Sequence, residues 1–453
     1  MNKTESAPAL VATASVPRGR LLQLLGVGFG LAVIVGNTIG AGILRTPGEV
    51  AAHLPNAWLF ISVWLVGGLY ALLGANSIAE TGTMFPRSGG QFVCVRYALG
   101  DFPGFVVAWS DWVSTCGSSA LMAMVISEYA VVLLPSLAGQ TTAVGTAIIL
   151  SFALLQWRGL RWASLMQNFS SLLKAAVFLA LIAACFLLTP QQPVAAQAAI
   201  RPEQPLWMGL ILSLQAVIYT YDGWTGVIYF SEEVTQPERN IPRSLFGGAL
   251  SVIFIYLLLN LAFLYVLRLP GMAGEPLVAG AAARVIFGGR GDQVIRILSV
   301  LSLLSSINAC SLMASRVLFG MSRDQLITDR ICGVNAGGTP TLALFLSTAV
   351  SVFFVVTGTF DQVIAVLAFF FVLAYLLSFC SLFVLRVREP GRPRPFRAWG
   401  YPWTTGIALA GSLAFLIGAL VQDTSHSIYA LILLALSYPV FWLIRRLTGA
   451  TAN

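Results

Sequence analysis

An all-α polytopic membrane protein of about twelve transmembrane helices, with a five-plus-five inverted-repeat core, is the fold class that three observations predict. Apolar residues fill 57% of the 453 positions and charged residues only 10%, whereas a soluble domain carries about 45–50% and about 25%. The apolar residues gather into twelve runs at 21–51, 57–81, 101–134, 141–157, 161–189, 206–234, 244–268, 294–323, 340–357, 361–386, 403–421 and 427–446. Most meet the roughly 20 residues that a helix needs to cross hydrocarbon. Two runs, the first and the sixth, are interrupted at mid-span by glycine and polar residues, the pattern of paired broken helices in a transporter built from two repeats.

Taken in order, residues 1–20 form a polar Ala/Ser/Thr/Pro-rich stretch, expected to be a disordered cytoplasmic tail. The run from Leu21 follows Arg18 and Arg20 as a signal peptide would, but it is long, rich in glycine and lacks a cleavage site. It is therefore read as an uncleaved first span. Residues 21–189 then make the first five-helix repeat and 206–386 the second, inverted one. Helices 11 and 12 fall within 387–446, and 447–453 is a second cytoplasmic tail. Alternate loops hold most of the arginines, among them Arg87, Arg96, Arg158, Arg161, Arg239, Arg243, Arg386, Arg388, Arg392 and Arg394. The opposite loops hold Arg201, Arg268, Arg284, Arg290 and Arg296. That asymmetry predicts both termini in the cytoplasm. The net charge of +8 is thus topological, and without a basic run beside stacking aromatics no nucleic-acid partner is expected. Trp58, Trp64, Trp399, Trp403 and Trp442 are expected to anchor helix ends at the interface.

Cys94, Cys116, Cys185, Cys310, Cys332 and Cys380 show no CxxC spacing and are expected to be small core residues. His53 and His426 both lie near loops, so no imidazole is expected at membrane depth. Neither a metal nor another cofactor is expected.

The breaks carry the chemistry. The first reads Gly36-Asn37-Thr38-Ile39-Gly40-Ala41-Gly42 and the sixth span Tyr219-Thr220-Tyr221-Asp222-Gly223-Trp224-Thr225-Gly226. A helix-interior glycine costs about 1 kcal/mol relative to alanine, so three in seven residues mark a weak point. Close helix packing is the plainer explanation for either glycine cluster alone; the matched pair favours unwinding. Unpaired backbone costs several kcal/mol in hydrocarbon and survives only beside a cavity. After a break the free N–H groups and positive dipole end suit a carboxylate. Before it, free carbonyls suit an ammonium group. Two breaks side by side can hold both ends of a zwitterion, which fits an α-amino acid better than a sugar, a nucleobase or an inorganic ion.

The same segments resemble the amino acid/polyamine/organocation (APC) superfamily of permeases. The resemblance lies in the first break, in Phe85-Pro86-Arg87-Ser88-Gly89-Gly90-Gln91-Phe92, in Tyr221-Asp222-Gly223-Trp224 with Ser231-Glu232-Glu233-Val234, and in Ser315-Arg316 through Arg323-Asp324. It implies a five-plus-five core with two added helices, working by alternating access. Carried over, it implies that the substrate carboxylate meets N–H groups at Gly40, Ala41 and Gly42. The amino group would meet carbonyls around Thr38, Tyr219 and Asp222, with Tyr219 as an aromatic lid. Trp224 and Thr225 would line the site, and Cys310 a side-chain pocket. Two departures are Leu44-Arg45 after the first break and Asp324-Gln325-Leu326 in place of Asp-Gly-Leu.

Lys174 stands deep in the fifth span, and the chain's other lysine is Lys3. A buried lysine can release its proton where arginine cannot; the alternatives are a coupling role and a structural pairing. The resemblance places it near the first break, where sodium-coupled relatives hold an ion, and so implies sodium-independent transport by proton symport or exchange. Asp222 can tune the site or bond exposed backbone. Asp111 can face the vestibule or a partner. Arg316, Glu80, Glu232 and Glu233 can form an inner gate or a fixed bridge. No HExxH, GxSxG or phosphate-cradling glycine loop points to an enzyme. No continuous polar lining points to a channel. Without an acidic cluster in the pocket, a neutral amino acid is the expected cargo. An amine, polyamine or purine carrier and a non-transporting sensor are the alternatives. Oligomeric state is not encoded legibly.

Overall fold

The computed structural model describes residues 21–40, 42–188, 204–357, 360–422 and 424–448; the expected tail at 1–20 lies outside them, and of the one expected at 447–453 the first two residues belong to the last helix and the rest lie outside. The described residues form fifteen α-helices: α1 Val27–Thr38, α2 Gly42–His53, α3 Ala57–Met84, α4 Phe92–Leu99, α5 Asp101–Leu133, α6 Thr141–Trp157, α7 Leu160–Leu187, α8 Leu206–Thr220, α9 Pro237–Met272, α10 Val278–Phe287, α11 Gly291–Arg323, α12 Thr341–Thr357, α13 Phe360–Arg388, α14 Trp403–Gln422 and α15 Thr424–Thr448. Seven are long and apolar enough to span a membrane, α1 and α2 reach that length together with a 49° bend at their break, and α6, α8 and α12 are shorter apolar helices. With α15 these are the twelve expected spans. Leu172, Phe169 and Leu187 are exposed on α7, as lipid-facing positions of such a helix must be.

The first span is two helices, α1 and α2, with Ala41 at the join outside the described residues. The sixth is helical only to Thr220 and continues through turns into a 3₁₀ segment, Gly226–Phe230. Two short helices, α4 and α10, escape the apolar-run criterion because neither is long enough to cross lipid. The seventh span starts earlier than its apolar run, at Pro237, the first-turn position that proline favours. Trp58, Trp399, Trp403 and Trp442 are exposed, whereas Trp64 is fully buried against Tyr221 and Tyr256 and is no interface anchor.

The half of the molecule nearest the described N-terminal residues is closed by pairing. The Leu25 amide donates to the Glu233 carbonyl (2.8 Å) and the Thr235 amide to the Leu25 carbonyl (2.8 Å), tying the entry to α1 to the segment after the sixth span. Arg316 forks onto Glu233 with both side chains fully buried, at 3.0 and 3.1 Å. Around this pair lie Arg323–Glu232 and Arg87–Asp324 (2.5 Å). Buried Glu80 on α3 accepts from Arg386 (2.6 Å) and from the Ala398 amide (2.7 Å) and pairs with Arg394 (3.0 Å), fastening α3 to the α13–α14 connection.

Candidate functional site

The two breaks meet at Gly223. Its φ of +108° lies in the region that favours glycine, and a Cβ there would stand 2.7 Å from Asn37 Nδ2 and 3.0 Å from the Thr38 amide nitrogen. Any side chain therefore brings backbone strain and a clash together, the first alone worth about 1–3 kcal/mol. Gly223→Ala should lower the melting temperature and cut uptake by about tenfold or more; wild-type melting and uptake would refute this account of the junction.

The end of α1 is heavily bonded. Its last carbonyls have no helical partners, and the neighbouring helices supply donors. Lys174 Nζ donates to the carbonyls of Gly36 (2.7 Å) and Ile39 (2.6 Å) and to Ser306 Oγ (2.8 Å). The Ser306 hydroxyl also reaches the Gly36 carbonyl (2.7 Å), and Ser302 the Ile39 carbonyl (3.1 Å). The Tyr256 hydroxyl of α9 lies between the carbonyls of Thr38 (2.7 Å) and Thr220 (3.1 Å), so one phenol ties the ends of α1 and α8. Gly36 permits this crowding: a Cβ would lie 2.2 Å from Gln167 Nε2 and 2.5 Å from Ser171 Oγ. The Thr38 carbonyl, a sequence candidate for gripping an ammonium group, thus already accepts from Tyr256. The Tyr219 carbonyl accepts from the Asp222 amide at 3.1 Å.

Thr38, Gly40, Gly42, Tyr219, Asp222, Thr225 and Cys310 line one cavity of about 140 Å³ beside the breaks. A Cβ on Gly40 would meet nothing within 4 Å, so its backbone borders open space. The first N–H groups of α2 begin at Gly42 and lack intrahelical carbonyls. Thr38 Oγ1 is buried without a hydrogen-bond partner, and the Cys310 thiol reaches Asn37 Oδ1 at 3.3 Å. Ala41 lies outside the described residues. Two candidates stand behind the wall: Lys174 is 1% exposed and absent from the lining, and buried Trp224 stacks at 4.9 Å on Tyr375, which does line the cavity. Exposed Arg45 is likewise not among the lining residues.

Sequence reasoning missed part of the wall. Asp111 enters from α5, its Oδ1 accepting from Tyr229 at 2.8 Å, and Asp222 accepts from the Tyr375 hydroxyl. Both carboxylates line the cavity, Asp222 as expected and Asp111 in addition, so the expectation of a pocket without an acidic cluster is corrected to one with an acidic pair. The only sequence signal for Asp111 was its charge within a span; which way that face of α5 turns was not legible. Leu121, Met122, Val125 and Leu303 extend the wall away from the ion-paired half.

Comparison with known proteins follows the same lines. The family profile described as amino acid permease matches residues 28–442. The serine/threonine exchanger SteT of Bacillus subtilis (strain 168) is 26% identical over 436 residues, covering 93% of this chain and 97% of the relative. The Asc-type amino acid transporter 1 of Mus musculus is 27% identical over 397 residues, 84% of this chain and 73% of the relative. The large neutral amino acids transporter small subunit 2 of Homo sapiens is 27% identical over 418 residues, 83% and 76%.

Proposed function

Because the chain belongs to the amino acid permease family, as a multi-pass membrane protein, we propose that it carries α-amino acids across the bilayer by alternating access. The cavity between the two breaks carries this reading. The N–H end of α2 at Gly42, with Gly40 before it bordering the cavity, offers positive dipole to a carboxylate. Across it, Thr38 Oγ1 and Asp222 offer acceptors to an ammonium group. The grip addresses only the zwitterionic part, common to neutral and charged amino acids. Tyr219 and Thr225 wall the site, Cys310 borders the side chain, and Trp224 supports the wall through Tyr375.

Lys174 is the coupling residue on this reading. Its ammonium bonds the carbonyls of Gly36 and Ile39, which removes sodium-ligand capacity from the first break and makes transport sodium-independent, by proton symport or exchange. Exchange is the activity in the name of the Bacillus subtilis relative. Residues 21–189 and 206–386 act as the two inverted repeats, in a bacterial inner membrane with both termini cytoplasmic, so the ion-paired half faces inward and the cavity is reached from outside.

Thermal-shift measurements on the purified protein against the twenty amino acids and several amines, followed by counterflow in sodium-free proteoliposomes, test the reading. Stabilisation and counterflow by amino acids are expected. Stabilisation by amines alone would replace the substrate class, and binding without counterflow would make the protein a sensor.

A further inference from the structure

The central cavity contains two carboxylates and no basic side chain. Asp111 and Asp222 reach it from different elements, α5 and the turn after α8, and no lysine, arginine or histidine is among the lining residues. Neither carboxylate has an ion-pair partner among the described residues. Their observed side-chain partners are hydroxyls, Tyr229 and the more distant Thr115 (3.5 Å) for Asp111 and Tyr375 for Asp222. Lys174, behind the wall, bonds neither of them: its Nζ donates to two carbonyls and a serine. Buried carboxylates without a counter-charge are costly, and neutral hydroxyl donors relieve only part of that cost. Thr38 Oγ1, buried and without a partner, lines the same cavity and can accept from an ammonium there.

A neutral amino acid brings one ammonium and one carboxylate, hence no net charge. Its ammonium can satisfy Thr38 and Asp222 beside the breaks, leaving Asp111 uncompensated. We propose that the cavity selects α-amino acids carrying a second ammonium on the side chain, the α-ammonium lying at Asp222 and the side-chain ammonium at Asp111. The proposal rests on the reading of the cavity as an amino-acid site and names the substrate class within it. Asp111 is thereby a specificity residue, and Tyr229 positions it by holding Oδ1.

Lysine and norleucine, which match in length and differ by an ammonium against a methyl, are the probes. In sodium-free proteoliposomes, half-saturating lysine should be lower than half-saturating norleucine by about tenfold or more, as expected for a charge-assisted bond. Asp111→Asn keeps an acceptor for Tyr229 and should bring the two to near parity while norleucine counterflow persists. Asp222→Asn, at the break itself, should weaken both. Norleucine handled as well as lysine by the wild-type protein, or a lysine preference unchanged in Asp111→Asn, would overturn the proposal. Since the wild-type comparison needs no variant, a folding failure of Asp111→Asn leaves it decisive. If none of the twenty amino acids stabilises the protein or is exchanged, the amino-acid reading falls and takes this one with it; norleucine exchange without lysine exchange fells this one alone.

Discussion

Alanine at position 174 should abolish uptake, with methionine at the same position failing almost as completely. Lys174 supplies two charge-assisted bonds to the carbonyls that close α1, each worth about 1.5–3 kcal/mol. Losing both would cost more than a hundredfold in any step that needs that arrangement. The serines at 302 and 306 still donate to the same carbonyls, so the chain should fold. Alanine also leaves a void, costing about 2–5 kcal/mol in stability; methionine fills it and removes only the charge. Counterflow in sodium-free proteoliposomes, beside melting curves for both variants, separates the two losses. Wild-type rate and pH dependence in Lys174→Met would remove the coupling role and leave a packing lysine.

The second large effect is expected at the pair formed by Arg316 and Glu233, in which neither side chain is exposed. The guanidinium also donates to Ser315 (3.0 Å) and sits over the Phe230 ring at 5.4 Å. Glu233→Leu strands a charge that cannot reach water, at about 3–5 kcal/mol, and should lower the melting temperature sharply. Combined with Arg316→Met, the same substitution removes both charges and should restore stability to the wild-type level or above. That double variant separates the two roles open to the pair. A stable protein with unchanged transport makes it a fixed bridge, and a stable protein that no longer exchanges substrate makes it a gate.

Much of the fold was legible because lipid simplifies the code: apolar runs must be helices, and their lengths must span the hydrocarbon. The breaks were legible from the matched positions of two glycine clusters in the first and sixth spans, since glycine alone does not interrupt a span: α3 keeps Gly67, Gly68, Gly74 and Gly82 within one helix. Lys174 stood out through its rarity, and its contacts with the Gly36 and Ile39 carbonyls lie at the break the resemblance implied. What lay hidden depends on rotation and distance. Tyr256 and Tyr375 sit on long apolar helices with little local pattern to say which face turns inward. The inward turn of Asp111 needs its tertiary partner Tyr229, 118 positions along the chain. Trp224, next to a break, points behind the wall because Tyr375 occupies the front. Glu80 finds Arg386 across 306 positions, a pairing that no local motif announces.

The phenol of Tyr256, bonded at once to the Thr38 and Thr220 carbonyls, and the bare face of Gly223 against Asn37 and Thr38 have a metric consequence. Both contacts join α1 to the sixth span on the side proposed to hold the ammonium group, and the Thr220 hydroxyl, bonded to Thr46 of α2 (2.9 Å), links that side to the end proposed for the carboxylate. On that reading the interval between a cargo's charged ends is set by the protein, and β-alanine, one methylene longer across it, should fail to drive the counterflow that α-alanine supports.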